Sequence, residues 1–254
     1  MDSVPISLFF PVYKDEATVA IMIEKALTLL QSLSNDYEVI VIDDASPDRS
    51  GAIADEFATR HERVRVIHHP KNMGYGAAVR SGLSASVFEY ICFTDGDDQY
   101  EVNDFAKLLK LRDRYDLIIT FRYKKIYSSV RIFISWFYNG VLRFLFRTPF
   151  RDVSTGLRMV RRSILADIDL EAQSPFIGAE LAIKVMLRGY RVGEVGIQTF
   201  PRTFGQGSST SVRNILATIA DMWHIYRRVF SGDYDLPEGR PRDPHNSSGK
   251  LKNY

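Results

Sequence analysis

The stretch YICFTDGDDQ, residues 90–99, decides how the rest of the sequence is interpreted. Its first four residues are apolar or aromatic, which is typical of a strand buried on both faces of a parallel sheet. Carboxylates follow at once, and open α/β sheets bind ligands where their strands end. Asp95 and Asp97 are two residues apart in extended chain, so they point the same way, and Gly96 lets the backbone turn between them.

This pair of acids predicts a site for a hard divalent cation, Mg²⁺ or Mn²⁺, bridged to a diphosphate. An ordinary turn is the alternative interpretation, because Asp and Gly are common turn residues. The recurrence of acids at other strand ends favours the cation site.

The composition describes an ordinary globular protein of 254 residues, 45% hydrophobic and 25% charged. We expect one large domain over 1–230 and a loosely ordered tail over 231–254, which is rich in Pro, Gly and charge. The single cysteine, Cys92, excludes a disulfide framework and a thiolate zinc site. We see no signal peptide and no apolar run of about 18 residues, which predicts a cytoplasmic protein whose membrane contact is peripheral.

Strand and helix patterns alternate through the first half of the chain. Strands are predicted at 6–10, 37–42, 64–67 and in the opening stretch, with helical patterns between them. Such alternation implies a parallel sheet with right-handed crossovers, so the polar residues after each strand should meet at one edge. Those residues are Tyr13 and Asp15, Asp43 and Asp44, and Asp95 and Asp97.

The first strand-to-helix turn excludes several nucleotide-binding classes. It reads Pro11-Val12-Tyr13, where a dinucleotide-binding protein or a P-loop protein would need a glycine-rich phosphate cradle. Sugar-nucleotide pyrophosphorylases also need a glycine-rich segment there, so they are excluded as well.

Four segments together resemble the family 2 glycosyltransferases of GT-A fold, and within them the dolichyl-phosphate mannose synthase and bacterial polyprenyl-phosphate glycosyltransferase branch. They are Pro11-x-Tyr13-x-Asp15, Asp43-Asp44-x-Ser46-x-Asp48, Asn72-x-Gly74 and Asp95-x-Asp97-x-Gln99. The resemblance implies a Rossmann-like, mostly parallel central sheet flanked by helices. Asp15 stands where the family often has Glu, and Glu16 beside it is a second candidate for that role.

The resemblance also implies roles for individual residues. The donor nucleotide would be bound by Pro11, Tyr13, Asp15, Asp43, Asp44, Lys71, Gly74, Asp95, Gly96 and Arg202. The metal ligands would be Asp95, Asp97 and Gln99. Arg202 begins a segment similar to the Arg-x-x-Gly-x-Ser loop that closes over the donor diphosphate in this family, with one extra residue before Ser208.

The middle of the chain is strongly basic. From Arg122 to Arg162 it has ten Lys and Arg residues and a single acid, Asp152, and it contains an aromatic-rich stretch at 130–147. Such a stretch suits a helix lying in a membrane interface, and we expect amphipathic interfacial helices within 122–150. A helix that packs on its own domain is the alternative. The contiguous aromatic residues disfavour a nucleic-acid site, where stacking platforms are spaced apart.

We therefore expect inverting, metal-dependent transfer of a sugar from a GDP- or UDP-linked donor to a polyprenyl phosphate, at the cytoplasmic face of a membrane. Asp95, Asp97 and Arg202 would stabilise the departing diphosphate. Arg122, Arg131 and Ser135 would bind the acceptor, with Glu180 facing it, and a hydroxyl acceptor would need Glu180 or Asp152 as the general base. The alternatives are a soluble hydroxyl acceptor and a catalytically silent protein that binds nucleotide-sugar or membrane.

Overall fold

The computed structural model describes residues 4–95, 102–123, 129–153, 155–198 and 211–231. The strands are β1 Ile6–Val12, β2 Tyr37–Asp43, β3 Val64–His68, β4 Tyr90–Phe93, β5 Leu117–Arg122, β6 Arg158–Arg161 and β7 Val192–Ile197. The helices are α1 Val19–Leu33, α2 Ser50–Arg60, α3 Tyr75–Ala85, α4 Phe105–Leu109, α5 Ser129–Phe146, α6 Ile177–Leu187 and α7 Val212–Phe230. Two short 3₁₀ helices cover Val102–Asp104 and Arg162–Asp167.

The seven strands form one sheet in the order β3-β2-β1-β4-β6-β5-β7. Every described pairing is parallel except those of β6, which runs antiparallel to both β4 and β5. The predicted mostly parallel sheet is thus confirmed, and β6 is an addition that the sequence does not predict. Its four residues begin and end with arginine, and Arg158 is buried with its guanidinium bonded to backbone carbonyls.

Alternate residues of the central strands pack into two hydrophobic layers, one on each face of the sheet, because these strands are buried on both faces. Phe9 of β1 belongs to the layer that contains α3 and α6. Its neighbours Leu8 and Phe10 belong to the layer that contains α1. The apolar runs in the sequence are therefore the centre of the sheet, and Cys92 lies there fully buried.

Helix α3 approaches the sheet closely at Gly82. A Cβ added to Gly82 would lie 2.2 Å from Cδ2 of Phe9. The Phe9 ring cannot move aside easily, because it stacks on Phe93 with centroids 4.9 Å apart. The glycine sets how near α3, and the loop before it, can come to the strand ends.

We expect Gly82→Ala to lower the free energy of unfolding by about 1–3 kcal/mol, because the added methyl group overpacks the core. Gly140→Ala is the matched control, since a Cβ there has no other atom within 4 Å and alanine favours a helix by about 0.5–1 kcal/mol. Urea unfolding of both variants measures the difference. Equal effects at the two positions would contradict the close approach at Gly82.

Candidate functional site

The parallel register brings three strand ends to one edge of the sheet. Val12 of β1 pairs with Asp43 of β2, and Phe9 pairs with Phe93 of β4. The Thr94 N–H continues that alignment by donating to the Phe9 carbonyl at 3.4 Å. Asp95 follows directly, so it lies on the same edge as Asp43 and the turn after β1. The structure therefore brings together the described strand-end residues that the sequence analysis places there.

The turn after β1 is held by its own aspartate. Lys14 has a left-handed backbone with φ of 61°. The Tyr13 N–H donates to Asp15 Oδ2 at 3.0 Å, and the Asp15 N–H donates to Ser50 Oγ at 3.0 Å. Glu16 is directed elsewhere, since its carboxylate accepts the Arg49 N–H at the start of α2. Asp15 is thus the acid of this turn, Tyr13 is exposed beside it, and Pro11 is buried in β1.

Asp43 and Asp44 are both buried, and their carboxylates have different partners. Asp43 accepts the Ser46 N–H at 3.0 Å and faces His68 Nδ1 at 2.9 Å.

Asp44 holds the loop that precedes α3. It accepts the N–H groups of Met73 at 2.7 Å and Gly74 at 2.8 Å, and it faces His69 Nδ1 at 2.7 Å. Gly74 has φ of 90°, which favours glycine. In this arrangement Asp44 supports the loop, and its contact with the donor stays a prediction. Lys71 is exposed on the same loop.

Asp95 lies at the end of β4 and is partly exposed. Tyr75, the first residue of α3, donates its hydroxyl to Asp95 Oδ1 at 2.6 Å. A Cβ on Gly156 would lie 2.4 Å from Asp95 Oδ2, so a larger residue there would displace the carboxylate from this position. Sequence patterns do not identify Tyr75 or Gly156 as partners of Asp95. The one available signal is the aromatic residue between Gly74 and Gly76.

The remaining predicted metal and diphosphate ligands, Gly96, Asp97, Gln99 and Arg202, lie outside the described residues. Within the part of the chain that the structure describes, no three His, Cys, Asp or Glu side chains are grouped so as to hold a metal ion. Asp95 itself fits such an ion, because a partly exposed carboxylate is a ligand that Mg²⁺ and Mn²⁺ prefer.

Arg122 and Asp152 form a buried ion pair. Arg122 donates to Asp152 Oδ2 from Nε at 2.9 Å and from Nη2 at 2.7 Å, and the two side chains are only 8% and 4% exposed. Asn139 of α5 adds a bond from Nδ2 to the other oxygen at 3.4 Å. In this arrangement the two charges are directed at each other, and the roles of Arg122 in acceptor binding and of Asp152 as a general base stay predictions.

Glu180 is likewise internal. It is 0% exposed, and its carboxylate accepts the N–H groups of Glu171 at 2.9 Å and Ala172 at 2.8 Å. It also pairs with Lys184 Nζ at 2.7 Å. Its carboxylate holds the segment before α6, because a buried charge needs such partners, and the role of Glu180 toward the acceptor stays a prediction.

Lys184 also pairs with Glu171, and Glu171 in turn contacts α7. Burial alone raises the pKa of Glu171, but hydrogen bonds from Lys184, Arg228 and His224 outweigh it and lower that pKa to about 2. Arg228 and His224 belong to α7, so an ionised Glu171 ties α7 to the body of the protein.

The other predicted acceptor residues lie on α5. Ser135 is half-buried, and Arg131 is in the helix, but its side chain is outside the described part of the structure.

Comparisons with known proteins identify the family and the fold. The family model described as Glycosyl transferase family 2 matches residues 7–169. The chain is 30% identical to polyprenol monophosphomannose synthase from Mycolicibacterium smegmatis over 75% of this chain and 77% of that protein. It is 24% identical to dodecaprenyl-phosphate galacturonate synthase from Rhizobium johnstonii over 92% of this chain and 71% of that protein.

A solved structure shares the fold. The glucosyl-3-phosphoglycerate synthase of Mycobacterium tuberculosis, in complex with Mn²⁺, UDP-glucose and phosphoglyceric acid, superposes with a TM-score of 0.69. The match is 17% identical and covers 93% of this chain and 82% of that one. The predicted GT-A fold is confirmed.

We expect Arg122→Met to lower the free energy of unfolding by about 3–5 kcal/mol, because it removes a buried counter-ion of Asp152. The double variant Arg122→Met with Asp152→Leu should recover much of that loss, since it removes both charges. Chemical unfolding of the single and double variants measures the coupling. Additive losses would show that the two side chains do not depend on each other.

Proposed function

This chain belongs to glycosyl transferase family 2, and we propose that it transfers a sugar from a nucleotide diphosphate-sugar to a polyprenyl phosphate. The observation that carries the proposal is the convergence of the Tyr13 turn, Asp43 and Asp95 at one edge of the sheet. The named activities of the mycobacterial and rhizobial relatives support a lipid phosphate as the acceptor.

The donor nucleotide would lie along this edge. Its nucleoside would contact the β1 turn and Asp43, and its diphosphate would lie beside Asp95. The donor is proposed to be GDP- or UDP-linked, and the UDP complexes of the mycobacterial structural neighbour support a nucleotide-sugar in general. We propose that Asp95, Asp97 and Gln99 would hold Mg²⁺ or Mn²⁺, which when bound neutralises charge on the departing diphosphate. Arg202 would add a second cationic contact to that leaving group.

The burial of two acids favours a phosphate acceptor over a hydroxyl. A hydroxyl needs a general base, whereas Asp152 and Glu180 are both committed to buried ion pairs. A phosphate monoester has a second pKa near 6, so it is largely dianionic at neutral pH and needs no base. Arg131 is the proposed contact for this phosphate, and attack opposite the leaving group would invert the anomeric centre.

Helix α5 supports contact with a membrane surface because it is apolar on two sides. Its inward face buries the apolar Leu142 and Phe146, together with Asn139, which is hydrogen-bonded. Its outward face is aromatic. Trp136 is 64% exposed, and the exposed fractions of Phe133, Phe137 and Phe144 are similar. Aromatic side chains and neighbouring arginines are typical of interfacial helices.

Helix α7 also has exposed apolar side chains. Its C-terminal Tyr226 and Phe230 pack on Phe146 of α5, while Leu216 and Trp223 are exposed. Among the described helices, none has the length and apolar content needed to cross a bilayer. We propose that 1–230 form a single catalytic domain and that its helices α5 and α7 lie on the cytoplasmic face of a membrane.

A panel of UDP and GDP, each with Mg²⁺ or Mn²⁺, tests the donor by thermal stabilisation, because a bound ligand raises the unfolding temperature. Transfer from the matching nucleotide-sugars to short-chain polyprenyl phosphate then tests the reaction. Transfer to soluble sugars but not to the lipid phosphate would select the hydroxyl-acceptor alternative.

We expect Asp97→Asn to lower transfer by about 10²–10³-fold, the usual loss when charge stabilisation of a leaving group is removed. Asp98→Asn is the matched control, because it removes a neighbouring acid outside the Asp-x-Asp pair, and it should retain most of the activity. Unfolding temperatures of both variants should stay near that of the wild type. Full turnover by Asp97→Asn would remove the metal-site proposal.

We expect the double variant Trp136→Ser with Phe137→Ser to bind anionic vesicles about tenfold more weakly, since each exposed aromatic ring would otherwise enter the interface. Val87→Ser is the control, because Val87 is an exposed apolar residue outside α5 and α7. Flotation with vesicles that contain an anionic lipid measures the bound fraction. Equal flotation of the three proteins would assign the α5 aromatics another role.

A further inference from the structure

His68, the last residue of β3, lies between two carboxylates. Its Nδ1 is 2.9 Å from Asp43 Oδ2, and its Nε2 is 2.9 Å from Asp55 Oδ1 on α2. Asp43 is also its register partner in the neighbouring strand. The imidazole thus connects Asp43 of β2 to Asp55 in the middle of α2.

This geometry requires a cationic imidazole. An ionised carboxylate only accepts hydrogen bonds, and a neutral imidazole carries a single N–H. Both bonds therefore exist only when both ring nitrogens are protonated, because a neutral ring would turn a lone pair toward one of the carboxylates. The hydrogen bonds to Asp55 and then Asp43 raise the pKa of His68 above its ordinary value of 6.5, although partial burial opposes them.

The charged groups that face this ring in the described structure are Asp43 from β2 and Asp55 from α2. The next residue, His69, points to the other side of the strand and pairs with Asp44. The start of α2 contributes Gly51, whose absent Cβ would lie 2.6 Å from Asp43 Oδ2. The site between β2 and α2 is thus shaped for a carboxylate with a cation beside it.

Asp43 has its orientation fixed by this cation. One carboxylate oxygen accepts the Ser46 N–H, and the other accepts the His68 N–H. These two bonds leave each oxygen one further lone pair for a ligand. Without the second bond, only the Ser46 N–H would hold the carboxylate.

We infer that His68 is a positioning residue for the donor nucleoside: as a cation it fixes Asp43, and its deprotonation weakens nucleotide binding. The inference rests on the proposed function, because it takes Asp43 as part of the nucleotide site. Both bonds are present while His68 is charged, below its raised pKa. As the pH rises through that value the neutral ring keeps a single N–H, and the inference takes the bond to Asp43 as the one that is lost. The affinity attributable to His68 should therefore decrease from pH 6 to pH 8.5.

The test measures the dissociation constants of UDP and GDP, each with Mg²⁺, on the full chain by calorimetry from pH 6 to pH 8.5. The nucleotide phosphate itself titrates near pH 6, so the comparison with His68→Leu isolates the contribution of the imidazole. We expect wild type to bind about fivefold more tightly than His68→Leu at pH 6, the value of roughly one hydrogen bond. This ratio should approach one at pH 8.5.

Asp55→Asn makes the test sharper. An amide at position 55 can donate to Nε2 of a neutral ring, so His68 keeps its N–H on Asp43 at high pH. In this variant the contribution of His68 to nucleotide affinity should keep its wild-type pH 6 value from pH 6 to pH 8.5. NMR should show that its His68 ring titrates at a lower pH than the ring in the wild type. His61→Asn is the control and should follow the wild type, because His61 stacks on Phe57 away from Asp43.

Three results would overturn the inference. The first is that His68→Leu binds nucleotide as tightly as the wild type at pH 6, and the second is that the affinity ratio of wild type to His68→Leu does not change with pH. The third is that nucleotide binding by Asp55→Asn depends on pH as it does in the wild type. If His68→Leu fails to fold, Asp55→Asn still decides. Failure of wild type to bind either nucleotide at any pH would instead overturn the proposed function, and this inference with it.

Discussion

The parallel pairing of β1 with β2 and β4 is the constraint on which the candidate site depends. It places Val12 beside Asp43 and Phe9 beside Phe93, so the chain leaves three strands at the same edge. The stacked rings of Phe9 and Phe93, and the glycine of α3 above them, hold that alignment from one face. A shift of one residue in this register would direct the core side chains to the opposite face, so the fold and the site are specified together.

Burial separates the acids of this protein into two groups. Asp43, Asp44, Asp152 and Glu180 are internal and hold backbone or a counter-ion, because a buried carboxylate is costly unless it is paired and hydrogen-bonded. Asp95 is partly exposed at the sheet edge. The internal acids organise the loops around the site, and this division is compatible with a reaction whose phosphate nucleophile arrives already charged.

Helix α5, in the second half of the chain, lies between the site and an exposed hydrophobic surface. Asn139 on the buried face of α5 donates to Asp152 and accepts the Val153 N–H, so α5 is bonded to the segment that leads to Gly156 beside Asp95. Its opposite face carries exposed aromatic rings. A helix that is apolar on both sides needs a second apolar surface, and a lipid interface beside the acceptor site would provide one.

The sequence by itself determined the alternation of strands and helices, the strand-end acids and the family resemblance, because these depend on period, turn residues and spacing along a short stretch. It did not determine β6, the burial of Arg122, Asp152 and Glu180, or the bridge from His68 to Asp43 and Asp55. Those features depend on neighbours that are distant in sequence, as Arg122 and Asp152 are separated by 30 positions. A local pattern shows that an acid follows a strand, but only the tertiary packing decides whether that acid meets solvent, an arginine or a backbone N–H.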